Sequence, residues 1–216
     1  QFFKENKAQR EALLEHLKKH FDITSLLYCI NSKANDTLYD QEIICYDGKT
    51  FIMEEMEGLN FKINAKSFFQ TNTEQAYELY KITRDFAGLK GKELVYDLYT
   101  GTGTIAQFIA KDCNRVVGVE SVPEAIEAAN TNAKENGIKN AFFEVGDMRR
   151  VFNQDFINRH GKADVVIADP PRNGMHPAVV KQLLFLQPEK IVYVSCNPAT
   201  QARDLFLMKD HYKLVR

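Results

Sequence analysis

The sequence predicts a doubly wound α/β domain over residues 66–216, preceded by a small α+β unit over residues 1–65. In the second part of the chain, short apolar runs alternate regularly with segments that have helical periodicity. These runs are rich in β-branched residues and apolar on both faces, which is typical of parallel strands covered by helices. The first part of the chain lacks this alternation and favours a helix followed by a few separate strands.

In the small unit, residues 1–20 have helical spacing with lysines late, which suits a helix C-terminus. The stretches SLLYCIN and DQEIICY indicate strands, and LNFKINAKSFFQ indicates a strand with a loop. Within IICYDGKTFIME, Asp47 and Gly48 lie between two strand-like runs. They predict a tight hairpin that joins these two runs, because such a turn needs positive φ at its centre.

The second part opens with a helix over TNTEQAYELYKITRDFAGL, with Thr71 or Asn72 as its cap and Gly88 as its stop. Five strands follow, each leading towards a helical segment: ELVYDLY, RVVGVE, AFFEVG, ADVVIAD and KIVYVS. The helix after the second strand begins at Pro123 and closes at Gly137. In such sheets ligands bind at the carboxyl ends of the strands, so those ends are the place to look for function.

Composition excludes several classes of protein. The net charge of -1 over 216 residues lacks the basic excess that is usual in nucleic-acid-binding domains, but it leaves such a protein open if the basic face lies on a segment outside this chain. No apolar run approaches the roughly 18 residues of a membrane helix, and no secretory leader is visible. The four cysteines have no C-x-x-C spacing, so neither a zinc site nor a disulfide framework is predicted. We therefore expect a cytoplasmic protein without a membrane span, and no protein partner is evident.

The ends of the first three strands predict a nucleoside-bearing cofactor. Gly101 and Gly103 follow the first strand and allow a tight turn with close approach of a ligand. Glu120 ends the second strand about 20 residues later, where an acid can bind ribose hydroxyls. Asp147 follows the third strand and can either accept from an adenine amino group or cap a helix. A nicotinamide dinucleotide stays possible, because Ala106 is tolerated at the place of a third glycine.

The fourth and fifth strands add an acid and a thiol. Asp169 ends the fourth strand, and the two prolines after it stiffen the loop. The fifth strand delivers Cys196 to a turn, where Asn197 and Pro198 predict the start of a helix. A sulfur there meets unpaired N–H groups and the positive end of the helix dipole, which favours the thiolate. The D-P-P run at the end of the fourth strand resembles the corresponding loop of S-adenosylmethionine-dependent methyltransferases. Beside such a methyl donor, a thiolate suggests carbon methylation of a pyrimidine, in which its addition to C6 activates C5.

Five segments carry a resemblance to a known family: FFQTN, DLYTGTGTIA, VGVE, ADPPRNGMHP and VSCNPATQARDL, in this order. Together they resemble the RNA uracil-5-methyltransferases over nearly the whole chain. The resemblance implies a Rossmann-like domain that uses S-adenosyl-L-methionine to methylate ribosomal or transfer RNA, with Cys196 as the nucleophile. It implies contacts to the cofactor from Gln70, which also meets the uracil, and from Tyr99, Thr104, Glu120 and Asp169. NPATQARDL looks more like the ribosomal members.

The resemblance also implies parts that this chain does not show. The proton-abstracting glutamate of the family is expected beyond residue 216, and we assign no base within the chain. Relatives often carry an amino-terminal RNA-binding barrel, and some carry an iron–sulfur cluster, so we expect a fragment of a longer protein. Two alternatives remain open: a non-catalytic module that binds S-adenosylmethionine and RNA, and a nicotinamide-dependent oxidoreductase.

Overall fold

The structure is a computed structural model that describes residues 1–33, 35, 38 and 40–216. None of the helices within these residues has the length and apolar character needed to cross a bilayer. The helices are α1 (Lys7–His20), α2 (Thr73–Ala87), α3 (Thr104–Ile109), α4 (Pro123–Glu135), α5 (Gln154–His160), α6 (Pro177–Leu186) and α7 (Pro198–Met208). The strands are β1 (Ser25–Tyr28), β2 (Ile44–Gly48), β3 (Phe51–Met56), β4 (Leu59–Asn64), β5 (Leu94–Leu98), β6 (Arg115–Glu120), β7 (Ala141–Val145), β8 (Val165–Ala168) and β9 (Lys190–Tyr193).

A parallel five-stranded sheet with the order β7-β6-β5-β8-β9 confirms the predicted α/β fold. The order reverses at the central strand β5, from which the chain builds the sheet outwards in two directions. Successive side chains of a strand point to opposite faces, so Val95 and Tyr96 enter two different cores. The core around Val95 includes Phe108 of α3, and the core around Tyr96 includes Phe156 of α5.

Two small antiparallel sheets precede the large one, and they correct the predicted hairpin. Gly48 has the expected positive φ of 76°, but the strands on either side of it do not pair with each other. Instead β2 pairs with β1, and β3 pairs with β4 across a turn at Glu57 and Gly58. The prediction was wrong because burial decides the pairing: Phe61 of β4 lies fully inside the core of the large sheet, which draws the β3–β4 hairpin there.

Helix α2 begins and ends as its sequence predicts. The side-chain oxygen of Asn72 accepts from the backbone N–H of Gln75 at 3.0 Å, so Asn72 and not Thr71 is the cap. The helix stops at Gly88, which has a left-handed backbone with φ 59°. Because α2 packs on β9 and β8, its start also fixes the end of the loop that follows β4.

The cap of α2 gives a direct test of the local structure. We expect Asn72→Ala to lower the free energy of unfolding by about 1 kcal/mol, since it leaves a first-turn N–H without its side-chain acceptor. Thr71→Ala is the matched control and should change it by less than about 0.5 kcal/mol. Chemical denaturation of both variants measures the difference. Equal losses in the two variants would show that Asn72 does not act as the cap.

Candidate active site at the carboxyl edge of the sheet

The central parallel strands end level with one another, which brings their following loops to one edge. The N–H of Asp169 donates to the carbonyl of Leu98 at 3.3 Å, and the N–H of Thr100 donates to the carbonyl of Val119 at 3.1 Å. On the other side of β8, the N–H of Val194 donates to the carbonyl of Ala168 at 2.9 Å. We call the edge of the sheet at which these strands end the carboxyl edge. The loops after β5, β6, β8 and β9 all leave the sheet from it.

The loop after β5, residues 99–104, is called the glycine turn. Its backbone is left-handed at Tyr99, Gly101 and Gly103, with φ of 61°, 54° and 75°. A non-glycine residue adopts this conformation only at a cost, which points to a constrained loop at Tyr99. Gly101 has open space where a Cβ would stand, whereas a Cβ on Gly103 would lie 2.6 Å from the ring of Phe143. Gly101 is therefore the position where a ligand can approach the backbone, and Gly103 is needed for packing.

Asp97, the acid inside strand β5, holds the glycine turn in place. Its Oδ2 accepts from the hydroxyl of Thr100 at 2.5 Å and from the N–H of Ala106 at 3.1 Å. Its Oδ1 is buried without a hydrogen-bond partner. One carboxylate oxygen thus connects the start of the glycine turn to the first turn of α3. Thr104 is buried, and its hydroxyl lies 3.3 Å from that of Thr102, so its predicted contact with a cofactor stays a prediction.

Glu120 faces the glycine turn from the end of β6. One carboxylate oxygen accepts from the N–H groups of Ser121 and Val122 at 2.6 and 3.1 Å, which fixes the side chain. The other oxygen accepts from the N–H of Gly101 at 3.3 Å. Glu120 therefore lies beside the open position of the turn, as a ribose-binding acid must.

Asp147 lies one strand further out and is paired with a cation. Arg149 donates to its carboxylate from Nε and from Nη2, the latter at 2.7 Å. This hydrogen-bonded ion pair lowers the pKa of Asp147 to about 2. An adenine amino group would have to share the carboxylate with Arg149, so the predicted role of Asp147 stays a prediction.

The buried acids at the carboxyl edge perturb one another. Burial, together with the nearby charges of Asp169 and Glu120, raises the pKa of Asp97 to about 7. Burial raises the pKa of Asp169 to about 6. Burial and the charges of Asp169 and Asp97 also raise the pKa of Tyr80. Several carboxylates in one partly desolvated space favour a cationic ligand.

Cys196 lies exposed on the loop after β9, residues 194–197, which we call the cysteine loop. Asn197 caps α7 by accepting from the N–H of Ala199 at 3.1 Å, as predicted. The Asn197 amide also donates to the carbonyl of Arg172 at 3.1 Å, and the hydroxyl of Thr200 donates to the same carbonyl at 3.1 Å. Residues 169–176, called the proline loop, are thereby joined to the cysteine loop. The thiol and Asp169 sit on one connected unit.

Asp204 of α7 completes this unit and was not singled out from the sequence. It is fully buried, and its Oδ2 accepts from the N–H of Met175 and from the hydroxyl of Tyr193, each at 2.7 Å. Arg203 donates to its other oxygen and to the carbonyl of Asn173. An acid on an amphipathic helix usually indicates a solvated face, so the pattern gave no signal for it. Asp97 did carry one, since it interrupts an otherwise apolar strand.

Gln70 lies on the loop between β4 and α2 and is half-buried. Its neighbour Phe69 packs on Phe61, with ring centroids 6.0 Å apart, and so anchors the loop to the core. Phe68 points outwards and is 68% exposed. The structure thus brings together the glycine turn, Glu120, Asp169 and the cysteine loop. It places Gln70 on a separate loop that comes from the β3–β4 hairpin.

The structure is a Rossmann-like domain whose carboxyl edge carries the glycine turn, Glu120 and an exposed cysteine. The family described as tRNA (Uracil-5-)-methyltransferase has a model that matches residues 4–216. The chain belongs to this family, and the resemblance predicted from the sequence is confirmed.

Similar proteins agree with this assignment. A protein of Porphyromonas gingivalis named as an RNA methyltransferase is 62% identical over 218 residues, which cover 100% of this chain and 47% of that protein. A protein of the same name in Bacteroides thetaiotaomicron is 60% identical, over 94% of this chain and 45% of that protein. The chain therefore spans about half the length of the curated relatives that it matches.

Among solved structures, the Pyrococcus abyssi tRNA (uracil-54, C5)-methyltransferase in complex with S-adenosyl-L-homocysteine superposes with a TM-score of 0.72. It is 37% identical and covers 88% of this chain and 46% of its own. The likeness confirms the Rossmann-like class I methyltransferase fold.

Asp97 makes the stability of the fold depend on pH. Its pKa is about 7 in the folded protein and 3.8 in an unperturbed group, so the folded state binds more protons between these values. The free energy of unfolding therefore falls as pH rises through this window, and Asp169 adds in the same direction up to about 6. We expect Asp97→Asn to weaken this fall by up to a few kcal/mol, since one pKa unit corresponds to about 1.4 kcal/mol.

Chemical denaturation at about pH 5 and about pH 8 measures this effect in the parent and the variant. Asp155→Asn is the control, because the Asp155 side chain is 79% exposed on α5. An Asp97→Asn variant with the same pH dependence as the parent would contradict a raised pKa at Asp97.

Gly174 tests the packing of the proline loop on α7. It has a φ of 73°, and a Cβ there would lie 2.6 Å from Oδ2 of Asp204 and 3.0 Å from Cβ of Thr200. We expect Gly174→Ala to lower the free energy of unfolding by about 3 kcal/mol, from backbone strain and overpacking together. Gly91→Ala is the matched control, since Gly91 has a φ of 83° but open space around it. It should cost about 1 kcal/mol, from strain alone. Equal losses by denaturant titration would argue against close packing at Gly174.

Proposed function

We propose that the intact protein transfers a methyl group from S-adenosyl-L-methionine to C5 of a uridine in RNA. In this proposal Cys196 forms a covalent bond to C6 of the base during the reaction. One observation carries it: the carbonyl of Arg172 accepts from both Asn197 and Thr200. This contact holds an exposed cysteine beside the loop of Asp169, at the edge that also carries the glycine turn. Family membership and the bound S-adenosylhomocysteine of the Pyrococcus protein support the choice of cofactor.

The residues at the edge fit this cofactor. The open position at Gly101 suits close approach of the nucleoside, and Glu120 beside it suits the ribose hydroxyls. The unpaired Oδ1 of Asp97 and the half-buried carboxyl of Asp169 suit the positive charges of the amino acid portion. We also assign Gln70, Tyr99, Gly103, Thr104 and Asp147 to the cofactor pocket as part of this proposal. When bound, S-adenosylmethionine supplies an electrophilic methyl group.

The chemistry of the chain itself begins with the thiol. Cys196 lies directly before Asn197, the cap of α7, and its side chain is exposed. Its sulfur adds to C6 of uracil, and the electron pair of the C5–C6 bond moves towards C5, which then acquires the methyl group. A base next removes the proton from C5, the C5–C6 double bond forms again, and the thiolate leaves. The uridine must be unstacked from the RNA to reach the edge.

The proposal also includes a choice between ribosomal and transfer RNA as the substrate. The NPATQARDL segment favours ribosomal RNA, whereas the Pyrococcus protein is named for transfer RNA. We place ribosomal RNA first and treat transfer RNA as the other outcome of the same assay. The nicotinamide alternative loses its support, because it gives no role to the cysteine loop. A non-catalytic module would keep the cofactor pocket without the thiol chemistry.

A covalent trap tests the proposal. We expect the intact protein, with S-adenosylmethionine and RNA that contains 5-fluorouridine, to form an adduct stable in denaturing gels, since fluorine at C5 blocks the release step. Cys196→Ala should abolish the adduct entirely. Cys45→Ala is the matched control, because Cys45 is the other exposed cysteine and should leave the adduct unchanged. Ribosomal and transfer RNA are assayed in parallel, and the absence of adduct with both would sink the covalent mechanism.

A further inference from the structure

The outer edge of the β3–β4 hairpin is held by side chains instead of a strand. In the described part of the chain, β4 pairs with β3 alone. The backbone N–H of Asn60 donates to Oδ1 of Asn136 at 2.8 Å, and Nδ2 of Asn136 donates back to the carbonyl of Asn60 at 2.9 Å. Asn132 repeats the pattern at Lys62, accepting at 2.9 Å and donating at 3.4 Å. We call Asn132 and Asn136 the amide latch.

The geometry of helix and strand explains why two asparagines can do this. Four residues of a helix rise by about 6 Å, and two residues of a strand advance by about 6.7 Å. Side chains on successive turns of α4 therefore meet successive outward-facing backbone groups of β4. A carboxamide carries one acceptor and one donor group, like the peptide unit that it replaces. Neither a carboxylate nor an apolar side chain could satisfy both backbone groups.

The latch lies between two parts of the site. On one side, Nδ2 of Asn136 also lies 3.1 Å from Oε1 of the buried Gln107, whose own amide donates to the carbonyl of Thr102 at 3.4 Å. Thr102 belongs to the glycine turn. On the other side, β4 runs directly into the loop that carries Gln70. That loop and the start of α4 line one groove, to which Ser67 and Glu124 both contribute.

We propose that Asn132 and Asn136 are positioning residues that set the place of the Gln70 loop relative to the cofactor pocket. The inference rests on the proposed function, because that function is what assigns Gln70 to the cofactor pocket. Asn132 is almost fully buried, so loss of its amide leaves two backbone groups of β4 unsatisfied. The hairpin would remain attached through Phe61 and Met56 in the core, but its register on α4 would loosen.

Three variants of the intact protein test the latch. Asn132→Ala removes one amide. Asn136→Asp is milder, because it keeps the acceptor for Asn60 and loses only the donor, so it should fold even where the first variant does not. Asn130→Ala is the control: Asn130 lies on the same helix, is exposed, and donates to the carbonyl of Ile126 within α4.

Hydrogen–deuterium exchange of residues 65–72 is the first readout, and calorimetric affinity for S-adenosylmethionine is the second. Both are measured well below the unfolding midpoint of each variant. We expect the two latch variants to speed exchange in this loop by about tenfold and to weaken the affinity by about threefold to tenfold. The control should change neither.

Latch variants that lose thermal stability but keep the parent's exchange rate and affinity would overturn the proposal, because the asparagines would then serve the fold alone. The exchange readout needs no catalysis. A parent protein without adduct or methyl transfer therefore refutes the proposed function, while the exchange rates still decide whether the latch positions the loop.

Discussion

Parallel pairing with level strand ends is the constraint on which the rest of the molecule depends. Strands β6, β5, β8 and β9 run in one direction, so every loop that follows them leaves from the same edge. A shift of one residue in the register of β8 would turn Asp169 to the other face of the sheet. The hydrogen bonds from Asp169 to Leu98 and from Val194 to Ala168 prevent this shift. The backbone pairing of the strands thus places the glycine turn, Asp169 and the cysteine loop at one edge of the sheet, whatever contacts their side chains make.

Side-chain bonds to backbone groups then make these loops rigid. The proline loop and the cysteine loop have no regular structure, yet Asn197, Thr200, Arg203 and Asp204 bind their carbonyl and N–H groups. Asp97 accepts from the hydroxyl of Thr100 in the glycine turn and from the N–H of Ala106 shortly after it. Loops are ordinarily the mobile parts of a domain, and fixed side-chain partners are one means of holding catalytic groups in place. The polar residues of α7 and the acid of β5 thus serve the geometry of the edge more than the core.

The sequence allowed the large sheet, its helices and the thiol-bearing turn to be predicted, because each depends on local signals. Alternating apolar runs mark the strands, and Asn72, Gly88, Asn197 and Pro198 mark helix ends. The pairing around Gly48 could not be predicted, since the choice of partner strand depends on burial of Phe61 in a core whose other members, such as Phe108 and Val165, lie far along the chain. The hydrogen bonds of buried polar side chains could not be predicted for the same reason. An Asp or Asn on a helix gives no local sign of the backbone group that it will meet.

The crowded carboxylates have a consequence for turnover in the proposed reaction. Asp97 and Asp169 are held at raised pKa values by burial, and a nearby positive charge relieves that unfavourable state. The intact methyl donor carries such a charge on its sulfur, but the demethylated product is a neutral thioether. In the proposed function, the acids of this edge would therefore favour the charged methyl donor over its neutral product.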